Sequence, residues 1–330
     1  MTSFLSYALK RFIDRFILLI GLIVFNWLLL EGLPEAFGIN PVVWIVPREL
    51  SHNVNAYATQ IKTLTVLFGF NQPLYVQFVR YVYNTLTFHF GYDFLANEPV
   101  IVEIIHHLPY TLVLTIPPLI ISTFLAIILG QIAALRRGSA VDNTLSNYFI
   151  IQYNIPGFFL SFILWVVLIV ALKLGPISDA SVLTSWNIVN VLKAYWLPWI
   201  IITLIFGFPV RGLLMRNTMV DILDSDFIRY ERIAGVKEGI VRSHARQVSL
   251  IPVVTRTSID LAFILGGIFV IEYVFGIPGM GYLLTEAAVK FDFPLLVGSF
   301  FVLTFYSLIV LYINDLIYPL IDPRLKKSLR

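Results

Sequence analysis

Six runs of apolar residues set what this chain can fold into, because each is long enough to cross a bilayer. The hydrocarbon core is about 30 Å thick and a helix rises about 1.5 Å per residue, so roughly 20 apolar residues suffice. The runs fall near residues 16–33, 108–135, 148–174, 195–214, 252–275 and 295–317. Composition agrees: 58% of residues are hydrophobic and 13% charged, against about 45–50% and about 25% in a soluble domain. Lipid is therefore the solvent for most of the chain, and an all-α integral membrane fold follows. The formal charge of +3 is too small to point to nucleic acid. The absence of cysteine excludes disulfides, thiolate metal sites and a cysteine nucleophile.

Orientation comes from the basic residues, which favour cytoplasmic loops. With the N-terminus inside, the outer segments hold only Arg48, Lys62, Arg80, Lys173, Lys193 and Lys290 of the 23 Lys and Arg residues. Both termini are then expected in the cytoplasm. Lys10, Arg11 and Arg15 precede the first run as they would in a secretory leader, but no small-residue cleavage site closes it, so it reads as a span. Residues 1–15 form a cytoplasmic N-terminus and 16–330 one membrane domain, with a folded outer insertion at 34–107 and an inner loop at 215–251. The insertion carries Trp44, Phe68, Phe70, Tyr75, Phe78, Tyr81 and Tyr83, too apolar for a disordered linker. Its two readings are a surface for another protein and a structural cap.

The inner loop has the local signals of a short helix. Ser225 or Asp224 is placed to cap it, Phe227, Tyr230 and Ala234 recur at helical spacing, and Gly235 suits a left-handed stop. A second helix is expected from about Lys237 toward Val248. Basic and acidic side chains surround a narrow apolar face, which fits a protein partner. A helix lying on anionic lipid is the alternative, although such helices are dominated by basic residues.

The loop resembles the cytoplasmic coupling loop of binding-protein-dependent ABC importers, in the dipeptide, oligopeptide and nickel permease branch, at Asp226, Arg229, Arg232, Gly235, His244, Ala245, Ile251, Pro252 and Val253. Further matches run in the same order along the chain: Gln72-Pro73, Val76-Gln77 and Tyr81; Leu108-Pro109 and Thr111-Leu112; Ala133 to Gly138; Ile155-Pro156. Glu272-x-x-Phe275, Pro278-Gly279-x-Gly281, Asp292-x-Pro294 and Asp322-Pro323-Arg324 follow. Two departures stand out. Arg229, Tyr230 and Glu231 occupy positions where the family has small residues, and Leu33-Pro34-Glu35 stands in place of Gly-Asp-Pro.

The resemblance implies six transmembrane helices of the type I ABC importer kind and a half-transporter paired with a second, homologous permease. Two ATP-binding subunits, which hold ATP and Mg, would drive it, and an extracellular substrate-binding protein would load it with peptide, oligosaccharide or nickel. Asp226, Arg229, Tyr230, Glu231, Arg232, Gly235 and His244 would form the docking loop. No G-x-x-x-x-G-K-[ST] loop is present in this chain, so neither ATP binding nor any other cofactor is expected on it.

Ionisable residues in lipid are costly and often functional. Asp260 and Glu272 fall toward the two ends of the fifth run and Asp315 toward the inner end of the sixth. Each has a packing reading, and Glu272 has a second one as an element of an outer gate. Asn154 ahead of Pro156-Gly157 marks a kink in the third run that would either face the pathway or serve helix packing. His106 and His107 read as solvated loop residues with no further His or Cys to complete a metal site. No G-x-S-x-G or H-E-x-x-H pattern points to catalysis. An ion- or proton-coupled carrier is the alternative to the importer, and would call for intramembrane charges and inverted repeats.

Overall fold

The computed structural model describes residues 4–44, 46, 54–93, 98–173 and 186–321. Arg48, Leu174, the Asp322-Pro323-Arg324 motif, Lys326, Lys327 and Arg330 lie outside the described residues. Within them the chain is helical, joined by short turns and one isolated bridge between Tyr92 and Pro99.

Helix α1 (Phe4–Trp27) runs through a π-helical turn (Leu28–Gly32) into α2 (Leu33–Ala36). In the insertion, α3 (Val54–Phe68) and α4 (Leu74–Leu86) are the main elements. The α4 helix is pinned on α1 by the Trp27–Phe78 edge contact, 5.0 Å between centroids, and by Asn26 Nδ2 donating to the Tyr81 hydroxyl at 3.0 Å. Helix α5 (Val100–Leu135) already includes His106 and His107. These histidines are therefore helical residues rather than loop residues, and His107 Nδ1 lies 2.8 Å from the Glu103 carbonyl.

The third, fourth and fifth runs are discontinuous. The third is divided among α6 (Ala140–Tyr153), α7 (Gly157–Trp165) and a π-helical stretch (Val166–Ala171). The fourth is divided between α8 (Ile188–Ile205) and α9 (Phe208–Leu223). The helix α10 (Asp226–Ile233) follows, then α11 (Glu238–Gly267), α12 (Phe269–Phe275), α13 (Met280–Lys290) and α14 (Phe293–Ile321). Most of the predicted loop at 215–251 is thus the protruding ends of α9 and α11 with α10 between them. An apolar run stops where charges begin, whereas backbone hydrogen bonding continues into water, so α11 passes Pro252 without a break.

Among the described residues, five helical segments are long and apolar enough to cross a membrane: Phe4–Ala36, Val100–Leu135, Ile188–Ile205, Glu238–Leu265 and Phe293–Ile317. The third run supplies only a shorter apolar helix, Phe159–Leu168. The long α5 is the centre of the bundle, packing on α8, α9 and α11. Gly130 of α5 faces Gly212 of α9 so closely that a Cβ on Gly130 would stand 2.6 Å from the Gly212 carbonyl oxygen. Small residues at a crossing of this kind let two backbones approach where lipid offers no hydrophobic drive. Arg15 and Asp315, 2.7 Å apart, tie α1 to α14, which gives Asp315 its packing role.

Candidate functional site

The sequence signals around α10 translate into a sharply bounded helix. Ser225 sits at the N-cap position, but its hydroxyl donates to the Ile222 carbonyl at 2.6 Å rather than capping, and Asp224 pairs with Arg137 at 2.5 Å. Neither side chain therefore closes the helix start as the sequence led one to expect; each ties it back toward the bundle. At the other end Gly235 has φ +77°. Its N–H donates to the Arg232 carbonyl and that of Val236 to the Glu231 carbonyl, both at 3.1 Å. This is a Schellman stop, which satisfies two of the carbonyls a helix end leaves bare.

One side of α10 is locked to the neighbouring helices. Ile228 is fully buried among Met215, Met219 and Val220 of α9 and Val241 and Ala245 of α11. Glu231 Oε1 lies 2.7 Å from His244 Nδ1 on α11. Arg232 donates from Nε and Nη2 to the two Glu238 oxygens, each at 3.2 Å, and Arg242 joins them at 3.3 Å. Those guanidinium groups, Arg232 first, hold the Glu238 carboxyl below its ordinary range. Two of the three residues that depart from the family's small ones therefore face different ways: Glu231 binds α11, and Arg229 only its neighbour Asp226, at 3.4 Å on the surface.

The other side is bare. Phe227, Tyr230 and Ile233 are 52%, 71% and 77% exposed. Three large apolar side chains on a helix rimmed by Asp226, Arg229 and Arg232 form a contiguous patch of the kind that marks an interaction surface. They stand on a rigid base at the tip of two membrane helices.

Asn154, Pro156 and Glu272 are not part of this patch. Asn154 ends α6, its Nδ2 donating to the Ile150 carbonyl at 2.7 Å, and Pro156 precedes α7 at the break, so the expected kink is a full interruption of the helix. Glu272 is completely buried. Its Oε1 accepts from the Thr111 hydroxyl at 2.6 Å, and Oε2 accepts from the N–H groups of Gly281 at 2.7 Å and Tyr282 at 3.0 Å. Thr111 in turn accepts from Met280 N–H at 2.7 Å. The carboxylate of α12 thus caps the positive end of α13, and Gly279 is small because a Cβ there would overlap the Glu272 carboxylate.

Sequence reasoning assigned Arg211 to the inner loop charges and missed its place. It is fully buried, donating from Nη1 to Asp260 and from Nη2 to the Ser122 hydroxyl at 2.5 Å and the Phe206 carbonyl at 2.9 Å. Gly207, at φ +67°, leaves room for both charged groups where the fourth run breaks. The available signal was an arginine in one apolar run and an aspartate in another.

Residues 124–327 match the family described as "Binding-protein-dependent transport system inner membrane component". The chain is 29% identical over 326 residues to the metal-staphylopine import system permease protein CntB of Staphylococcus aureus, covering 98% of this chain and 99% of that protein. It is 29% identical to the glutathione transport system permease protein GsiC of Salmonella paratyphi A, with the same coverage. It is 27% identical to the dipeptide transport system permease protein DppB of Lactococcus lactis, over 86% of this chain and 90% of that one. The matched residues span α10 and both helices that carry it, and the chain belongs to this family of inner membrane transport components as a multi-pass permease subunit of an ABC importer.

Proposed function

We propose that this permease forms half of a translocation pathway, paired with a second, homologous permease, and that α10 is the element through which separate ATP-binding subunits drive it. The exposed Phe227, Tyr230 and Ile233 face carries this reading. It is bound to α9 and α11 through Ile228, Glu231–His244 and Arg232–Glu238, so a displacement of the patch moves two membrane helices with it. A patch on a floppy loop could dock a partner but transmit nothing. ATP binding would close the ATPases and carry α10 with them, switching the pair between inward-open and outward-open states. Both termini and α10 lie in the cytoplasm in this reading, the insertion faces outward where a binding protein delivers substrate, and the third run completes six spans despite its break. Asn154 and Pro156 would give the pathway its flexible point, and Glu272 would hold the α12–α13 corner of an outer gate.

Three relatives are named for metal-staphylopine, glutathione and dipeptide. These support a small, polar, amino-acid-derived cargo, and we take peptide as the substrate class. The coupled-carrier alternative gains little from Arg211 and Asp260, whose charges close on each other. The absence of native cysteine makes a direct test simple. Tyr230→Cys should crosslink to the ATPase subunits in the assembled importer, and Tyr75→Cys, in the insertion, should not. Crosslinking from Tyr75, or none from Tyr230 in an active assembly, would overturn the docking assignment.

A further inference from the structure

The insertion and the membrane helices enclose a cavity of about 540 Å3, bounded by α3, α4, the residues before α5, the outer end of the first span and the start of α14. Its position relative to the bilayer follows from α1. Arg15, paired with Asp315, and Glu31, on the cavity wall, are separated by about 24 Å of helix at 1.5 Å per residue, most of the hydrocarbon thickness. The cavity therefore opens at the level where headgroups meet acyl chains on the side opposite Arg15. Exposed Tyr92 lies on its wall, a residue type enriched at that depth.

A carboxyl and a guanidinium, Glu31 and Arg80, line this one space. Glu31 makes no ion pair among the described residues, its neighbours including the Trp27 indole and the Glu35 carboxyl. Arg80 also lacks an ion pair among the described residues. Gln77 on the wall is only 6% exposed, its Nε2 donating to Glu35 Oε1 at 2.8 Å. Asp93, also on the wall, is already engaged. An unpaired guanidinium at the edge of a bilayer is costly unless something neutralises it, and a buried carboxyl ionises readily only beside a cation. A single group carrying a cation and an anion a few ångströms apart would satisfy both, and Phe68, Phe70 and Leu67 give the rest of the wall an apolar character suited to the glycerol end of a lipid.

We infer that the cavity is a binding site for an amine-bearing zwitterionic phospholipid, with the ammonium on Glu31 and the phosphate on Arg80. This site is separate from the α10 surface and does not depend on what docks there. It would anchor the insertion to the bilayer and hold α4 against α1.

The test is native mass spectrometry of the detergent-purified importer, stripped of lipid and given equal amounts of phosphatidylethanolamine and phosphatidylglycerol. The wild-type assembly should retain phosphatidylethanolamine preferentially. Glu31→Gln should lower its retention by roughly tenfold, the worth of one charge-assisted hydrogen bond, and leave phosphatidylglycerol unchanged. Arg80→Gln should weaken both lipids, because both carry the phosphate, and Glu31→Asp should recover part of the preference. Since neither side chain forms an ion pair among the described residues, the thermal midpoint of the delipidated assembly should stay unchanged. Equal retention of the two lipids by wild type, or an unchanged ratio in Glu31→Gln, would overturn the assignment. So would displacement of the lipid by a soluble dipeptide, which would make the cavity a site for a free zwitterion.

Discussion

The guanidinium of Arg211 on α9, with no exposed surface, closes on the carboxylate of Asp260 on α11. These two helices flank α10, so the pair ties together the arms that carry the docking patch, at the point where the fourth run breaks.

Removing one partner of a buried ion pair strands the other charge, at a cost of about 3–5 kcal/mol, whereas replacing both with apolar groups is far milder. Asp260→Leu, which strands Arg211, should lower the unfolding temperature of the reconstituted subunit markedly; Arg211→Met should lower it less, because Asp260 keeps Arg256 at 2.9 Å, and the double change Arg211→Met with Asp260→Leu should lower it less than the sum of the two. Additive losses in that double-mutant cycle would show that the two side chains do not act as a unit.

Gly235 tests the helix stop. A Cβ there meets nothing within 4 Å, so a substitution is costly only through its backbone conformation at φ +77°. An L residue in the left-handed region costs about 1–2 kcal/mol, more for a β-branched one and less for Asn. Gly235→Val should leave membrane insertion intact and break the match between ATP hydrolysis and uptake, with Gly235→Asn close to wild type. Unchanged coupling in Gly235→Val would remove α10 from the drive mechanism.

What the sequence made legible was local. The left-handed glycine and the spacing of Phe227 and Tyr230 are contained within ten residues of α10, and the six apolar runs report burial in lipid one segment at a time. What stayed hidden depended on distant partners. Thr111 and Glu272 are 161 positions apart, so the motif around Gly279 and Gly281 was visible while the cap it accommodates was not. Arg211 looked like a loop charge because it stands near the end of a run, and only folding brings Ser122 and Asp260 to it. The helix breaks at Asn154 and Gly207 divide segments whose apolar composition is continuous across them, which a count of apolar residues does not register.

Glu272 supplies a third test. Glutamine in its place keeps one acceptor but turns an amide N–H₂ toward donors that already need an acceptor, either the Thr111 hydroxyl or the Gly281 and Tyr282 N–H groups. One buried bond left unmade costs about 1–3 kcal/mol. Glu272→Gln should therefore lower thermal stability by that order, and Gly279→Ala, whose methyl would occupy the carboxylate's position, by at least as much. If transport and assembly are both normal in Glu272→Gln, the residue is a packing cap with no part in a gate.

The link between α6 and α9 should respond to pH in a defined window. Asp142 is buried and accepts from Arg216 Nε at 3.0 Å and Nη2 at 2.8 Å, from Gly138 N–H at 2.9 Å and from Ser146 at 3.2 Å. The Arg216 bonds, above all, hold its carboxyl at about 2, well under the ordinary 3.8. A depressed carboxyl contributes stability that is fully present above its ordinary value and fades as the pH falls through the folded value, here between about pH 4 and pH 2. The difference amounts to about 2 kcal/mol. The Gly138 amide reports it directly: its hydrogen-exchange protection, corrected for the intrinsic rate, should be constant from pH 8 to pH 5 and fall steeply below pH 4. In Asp142→Asn it should be low throughout. Protection that already declines between pH 7 and pH 5 would mean that another group, and not this carboxylate, holds the corner between α5 and α6 in place.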